Sequence, residues 1–201
     1  MFYEVNPSRE ILQGDVFAGL VNTGIIPSKF LTASTLRKEH SPCFSVDLGF
    51  GYSAIVTPSC EIPKQERDYL AFCPLVPVSK RITQIECFQK DPTRFNNPVE
   101  AENSMPRLKW DTKSEDEKEA LKRKRKTYAI FNYYVFDKLE GSFSDYLMID
   151  FGFVFNVNKK KFGQEFYNVL LGSRVTQLSF ESQKALQDKL AFYYSRTEEE
   201  V

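Results

Sequence analysis

The sequence predicts an α+β fold, and three observations carry that expectation. Apolar residues recur with a period of two along 43–48 and again along 146–157, the mark of strands with one buried face. The chain closes on a stretch from Ser179 in which Leu186, Leu190, Tyr193 and Tyr194 share one side of a helix. Between these regions, residues 80–126 are rich in Pro, Asn and charge and poor in aliphatic periodicity. We read 1–201 as one domain: a strongly bent antiparallel sheet or an SH3-like β-barrel, with a C-terminal helix over one end. Residues 80–126 form a helical insertion projecting between the fourth and fifth strands.

Composition supports a folded chain. At 201 residues it is long enough to bury a sizeable core, and 42% hydrophobic against 27% charged residues excludes disorder and a membrane-embedded class. The 18 Phe and 10 Tyr favour strands, where flat rings pack on a pleated surface. Lys+Arg and Asp+Glu balance at 27 each, so no global field draws in nucleic acid or an anionic membrane. No basic start followed by an apolar run suggests a signal peptide, and no apolar run suffices to span a bilayer. The four cysteines lack close paired spacing. A cytoplasmic chain with reduced thiols, no metal and no cofactor is the expectation.

In chain order, a turn at 8–14 feeds a strand at 15–21, broken by Thr23, Gly24 and Pro27. Residues 28–40 make a loop or a poor helix. Residues 43–48 and 52–57 form a hairpin about Gly49-Phe50-Gly51, and Pro58 ends the pairing. A strand at 69–78 carries Pro74 and Pro77, which push it to a sheet edge. In the insertion, Ser114 with Glu117 three residues on predicts a capping box for a helix running to about Lys126. A strand at 128–136 has aromatics on both faces, so both are covered. The strand at 146–157 carries six apolar residues on one face, with a bulge or bend at Gly152. Residues 165–171 are a last strand or a helix, and Ser179 caps the closing helix.

Chemistry concentrates where the apolar strand ends in Pro58, Ser59, Cys60 and Glu61. Cys60 is a candidate nucleophile, with His40, Glu61 or Asp15 as candidate partners. Its structural alternative is a cysteine packed behind the sheet, with Asp15 accepting backbone hydrogen bonds from the 58–61 turn. His40, Cys43, Cys60 and Cys73 number enough for a tetrahedral zinc but lack its usual second close pair, so no metal is assigned. Lys122, Arg123, Lys124 and Arg125 form a basic run that could bind nucleic acid, with Tyr128, Tyr133 and Tyr134 as stacking rings. The same run also suits the C-terminal end of a helix dipole. Asp150-Phe151-Gly152 matches a kinase tripeptide by chance, since none of its companion motifs is present.

Three separated stretches carry a resemblance: Gln13-Gly-Asp-Val-Phe17, Ile55-Val-Thr-Pro-Ser-Cys-Glu61, and Arg174-Val-Thr-Gln-Leu-Ser179 with its helix through Leu190 to Arg196. Together they are similar to a group of prokaryotic proteins with Ser-Cys-Asp after a strand and a closing Leu-Ser helix. Glu61 replaces the group's usual aspartate, and 180–185 replaces a Pro-Tyr-Arg stretch. The opening Gly-Asp-Val more weakly resembles the SH3-like barrels of PemK/MazF-type toxins, which act on RNA. The resemblance implies an accessory role in a prokaryotic defence or mobile-element locus. The expected function is a non-enzymatic binding module with a protein partner, Asp15 and Ser59 belonging to its binding corner. The alternatives are a nucleic-acid-binding or degenerate toxin-like ribonuclease domain, and a Cys60-dependent hydrolase.

Overall fold

The computed structural model describes residues 1–27, 44–123, 126–160 and 165–195. Its strands, all paired antiparallel, lie in three sheets. The largest is built from β1 (Val16–Pro27), β2 (Phe44–Ile55), β3 (Tyr69–Pro74), β9 (Phe155–Asn158) and β10 (Arg174–Thr176), in the order β10-β1-β2-β3-β9. A second sheet runs β4 (Val76–Pro77), β8 (Leu147–Asp150), β7 (Tyr133–Phe136). The short strands β5 (Val99–Glu100) and β6 (Lys126–Thr127) pair within the insertion. The fold is α+β, and neither large sheet closes into a barrel: β10 and β9 stand at opposite edges of the first. Of the two forms expected, the open bent sheet is the one present.

The bend explains two corrections. Residues 69–78 make not one strand but β3 and β4, which belong to different sheets. The break falls at Leu75, whose N–H makes the last bond to β2, on the Tyr52 carbonyl at 2.8 Å, before Val76 joins β8. Likewise 146–157 divides into β8 and β9 around 151–154. There the Asp150 carboxylate accepts the Gly152 N–H at 2.9 Å, and the Phe153 N–H bonds the Asp150 carbonyl at 3.0 Å. Both chains therefore cross between the sheets side by side, and the unbroken period-two pattern runs through a turn that periodicity does not reveal. The expected hairpin at Gly49–Gly51 is also absent. Residues 44–55 form a single strand along β1, with Gly51 opposite Leu20. The irregularity lies at Gly19, where φ is +76° and the register shifts between Ala18 and Leu20. Glycine adopts that backbone without steric cost, and the extra residue bends the strand.

Alternation in β1 and β2 divides the core. Val16 and Ala54 face one apolar cluster, which contains Tyr134, Phe136, Leu186 and Leu190. Phe17 and Ile55 face another, with Phe72, Phe166 and Leu170. The first cluster is covered by α5 (Phe180–Ser195), the second by α4 (Glu165–Ser173), so 165–171 resolves as helix. The insertion contains α1 (Lys80–Thr83), α2 (Arg107–Asp111) and α3 (Glu115–Arg123) plus three 3-10 turns, more than the single helix expected. It does not simply project. Ile82, Phe88 and Phe95 are fully buried and pack on Val135 and Met148 of the second sheet. Of the strand expected over 128–136 only β7, Tyr133–Phe136, forms, and both of its faces are covered, Tyr134 and Phe136 in the first cluster and Tyr133 and Val135 against the insertion.

Candidate functional site

The three motif stretches meet at one polar node. Gly14 starts it, with φ +93° and its N–H on the Ile55 carbonyl at 2.8 Å. A Cβ there would lie 2.4 Å from a Leu178 methyl carbon, so the turn tolerates only glycine. The next residue, Asp15, has its side chain 1% exposed beside Arg174. Its Oδ2 accepts from the Leu12 N–H and Arg174 Nη1, each at 3.1 Å, and from Gln177 Nε2 at 3.3 Å. Arg174 also donates to the Ser8 and Glu10 carbonyls. Among the described residues, Asp15 Oδ1 has no partner. Burial pushes the Asp15 carboxyl up to about 6, against the pull of the Leu12 and Arg174 donors.

Ser59 ties the second stretch to the first. Its Oγ accepts the Gln13 N–H at 2.9 Å and lies 3.0 Å from Gln183 Nε2 of α5. Gln13 Nε2 also donates to the Val56 carbonyl at 2.6 Å. The expected link from the Asp15 carboxylate to the 58–61 turn is corrected by this geometry. Asp15 turns toward Arg174 and Gln177, and Ser59 makes the bridge through Gln13.

Cys60 is exposed, which overturns its expected place behind the sheet. Pro58 and Glu61 close a turn, with the Glu61 N–H on the Pro58 carbonyl at 2.8 Å, and this turn carries Cys60 outward. Its neighbour Glu61 is engaged by Lys64 and Arg67, and the hydrogen bond to Lys64 holds its carboxyl below the usual range. The loop is pinned from below: Lys159 Nζ donates to the Ile62 carbonyl at 3.0 Å and to that of Lys64, and the Tyr167 hydroxyl also donates to Ile62. His40 and Cys43 lie outside the described residues. Cys73 is buried in the core, where desolvation pushes its thiol up to about 12. Among the described residues, no group of three or more His, Cys, Asp or Glu is placed to hold a metal.

Lys122 and Arg123 are exposed at the end of α3, while Lys124 and Arg125 lie outside the described residues. The rings expected to stack on bases are engaged in packing: Tyr133 is half-buried against the insertion's cluster. Tyr134 is wholly buried, its hydroxyl on the Ser182 carbonyl at 2.8 Å. Tyr128 packs on Phe192 with ring centres 5.1 Å apart.

Sequence reasoning missed a ledge of exposed apolar side chains where α5 ends beside the 151–154 turn. Tyr194 is 67% exposed, Phe153 55% and Val154 38%. Tyr193 joins them: its ring lies 5.0 Å from that of Tyr194 and 5.5 Å from that of Phe151, and its hydroxyl approaches Gly152. The sequence placed Tyr193 and Tyr194 on the apolar side of the closing helix, but only Tyr193 is half-buried and Tyr194 stands out at the edge of that side. Also missed was Lys189, fully buried on α5 with Nζ on the Phe95 carbonyl at 2.7 Å and over the Phe95 ring at 3.7 Å. Burial drives its ammonium pKa well below the usual value. Among the described residues, no helix is long and apolar enough to cross a membrane. No protein family, curated protein or solved structure matches the chain.

Proposed function

We propose that this chain is a non-enzymatic binding module that docks a protein partner on the ledge of Phe153, Val154, Tyr193 and Tyr194. The observation that carries this reading is that exposed Phe153 and Val154 directly follow Gly152, which the Tyr193 hydroxyl approaches, while exposed Tyr194 meets the Tyr193 ring. Scattered exposed apolar residues need no explanation, whereas adjoining aromatics with a polar surround mark interaction surfaces. The chemistry of the motif stretches supports it from the other side. Asp15, Gln13, Ser59 and Arg174 are engaged with one another and with backbone, and so act as staples. The motif resemblance supports an accessory role in a prokaryotic defence or mobile-element setting, and the cysteine spacing supports a cytoplasmic one.

A photo-crosslinking residue at position 153 tests the docking surface in the native host. The expected result is a discrete protein adduct from position 153 and none from position 122. The Tyr194→Ser variant, still folded by circular dichroism, should lose that adduct. Equal labelling from both positions, or an adduct indifferent to Tyr194→Ser, would overturn the reading. Recovery of nucleic acid from position 122 instead would favour the basic run.

A further inference from the structure

We propose that the insertion carries a recognition site for a basic side chain of a partner polypeptide, an arginine or lysine beside an apolar residue, seated against Trp110. This rests on the reading of the chain as a protein-binding module and names the chemistry of its partner. A cavity of about 460 Å³ opens between the 3-10 turn Glu86–Phe88, the 3-10 turn Ala101–Asn103 and α2. That volume falls within the range of ligand sites.

The less exposed part of its wall is apolar: Ile85 is buried, and Met105 and Trp110 are half-buried. The exposed part carries Glu86, Glu102 and Asp111 against one cation, Arg107. The walls are fixed to each other. Glu86 Oε2 accepts the Arg107 backbone N–H at 3.3 Å, and Cys87 Sγ donates to the Asn103 carbonyl at 3.3 Å. The Arg107 guanidinium turns to Asp111, with Nε 3.8 Å from the carboxylate.

An entering cation meets an excess of carboxylates and an indole, the aromatic ring best suited to hold a positive charge. An anion is repelled by the same rim. A purely apolar ligand would strip water from carboxylates without replacing it. The reading of the chain as a protein-binding module favours a polypeptide over a free amine, and Leu108, outside the cavity lining, offers it an apolar neighbour. It lies on α2 next to Arg107 and is 83% exposed, an apolar side chain that a small polyamine would leave bare. A peptide can place a cation in the cavity and cover Leu108 with its neighbouring residue.

Trp110 is the only tryptophan in the chain, so its fluorescence reports on this cavity alone. Purified full-length protein would be titrated with acetyl-Leu-Arg-amide, with acetyl-Leu-Glu-amide and with spermidine. The expected result is a saturable change with the Leu-Arg probe, at least about tenfold tighter than with the Leu-Glu probe. Glu102→Gln should weaken the Leu-Arg probe about tenfold, and Leu108→Ser should weaken it while leaving spermidine unchanged. Both positions are exposed, so both variants keep the fold. No saturable response, or an equal response to both dipeptides, would overturn the cation site. Spermidine matching the Leu-Arg probe, with Leu108→Ser without effect, would overturn the polypeptide assignment. A failed titration with the position-153 adduct intact removes the cavity proposal and leaves the binding module standing.

Discussion

Asp15 concentrates the residue-scale physics. A carboxylate buried to this degree costs solvation energy that Arg174, Gln177 and the Leu12 N–H only partly return. Its folded-state pKa is raised from 3.8 to about 6, so between those values the folded chain holds a proton that the unfolded chain has released. Its contribution to stability is therefore greatest below pH 3.8 and falls as pH rises through that window, by about 3 kcal/mol in all. Urea denaturation at a series of pH values between 4 and 6.5 should show this loss in the wild type. In Asp15→Asn the slope should be flatter by that amount. Identical slopes would mean that Arg174 keeps the carboxylate ionised throughout. The residue was legible as special because it follows Gly14 and opens a strand. Its partners were not, because Arg174 and Gln177 lie about 160 positions away and nothing local marks them as facing it.

At the scale of elements, local signals succeeded where the backbone satisfies itself locally. The Ser114–Glu117 capping box forms as spaced, with the Glu117 N–H on Ser114 Oγ at 3.2 Å and the Ser114 N–H on Glu117 Oε2 at 2.8 Å. Ser179 likewise caps α5, its Oγ accepting the Ser182 N–H at 3.3 Å. Because α5 covers the first core cluster, that cap supports more than its own turn. Ser179→Ala should lower stability by about 1 kcal/mol, seen as a lower urea midpoint with an unchanged m value. A changed m value would show that the helix end unravels separately. Strands fared worse. Alternation places a residue on a face but not in a sheet, so Leu75 was read as part of one strand, and at 151–154 only a bulge or bend at Gly152 was expected where the chain in fact changes sheets.

At the scale of the molecule, the insertion behaves as part of the core. Phe88 and Phe95 meet edge to face with ring centres 5.4 Å apart, against Val135 and Met148 of the second sheet. Asn96 completes the join by bonding both the N–H and the carbonyl of Val135, at 2.7 and 2.6 Å. It occupies the edge of β7 that would otherwise offer unpaired backbone. Phe88→Ala should cost about 3–5 kcal/mol in a single cooperative transition. A separate early transition confined to the insertion would show instead that it is an independent unit.

By itself the sequence determined the α+β class, the two helix caps and the covered faces of β7. Each depends on residues within one turn or one strand of each other, where spacing and side-chain chemistry suffice. Only the tertiary structure decided that the sheet stays open and that 44–55 runs straight along β1. It also decided that Ser59 is reached through Gln13 while Cys60 faces water. The ledge at Phe153 and Tyr194 and the cavity at Trp110 likewise depend on which elements become neighbours. Pairing partners and exposure are set by contacts between distant segments, whose free energy is shared across the whole core and leaves no mark on any single stretch of chain.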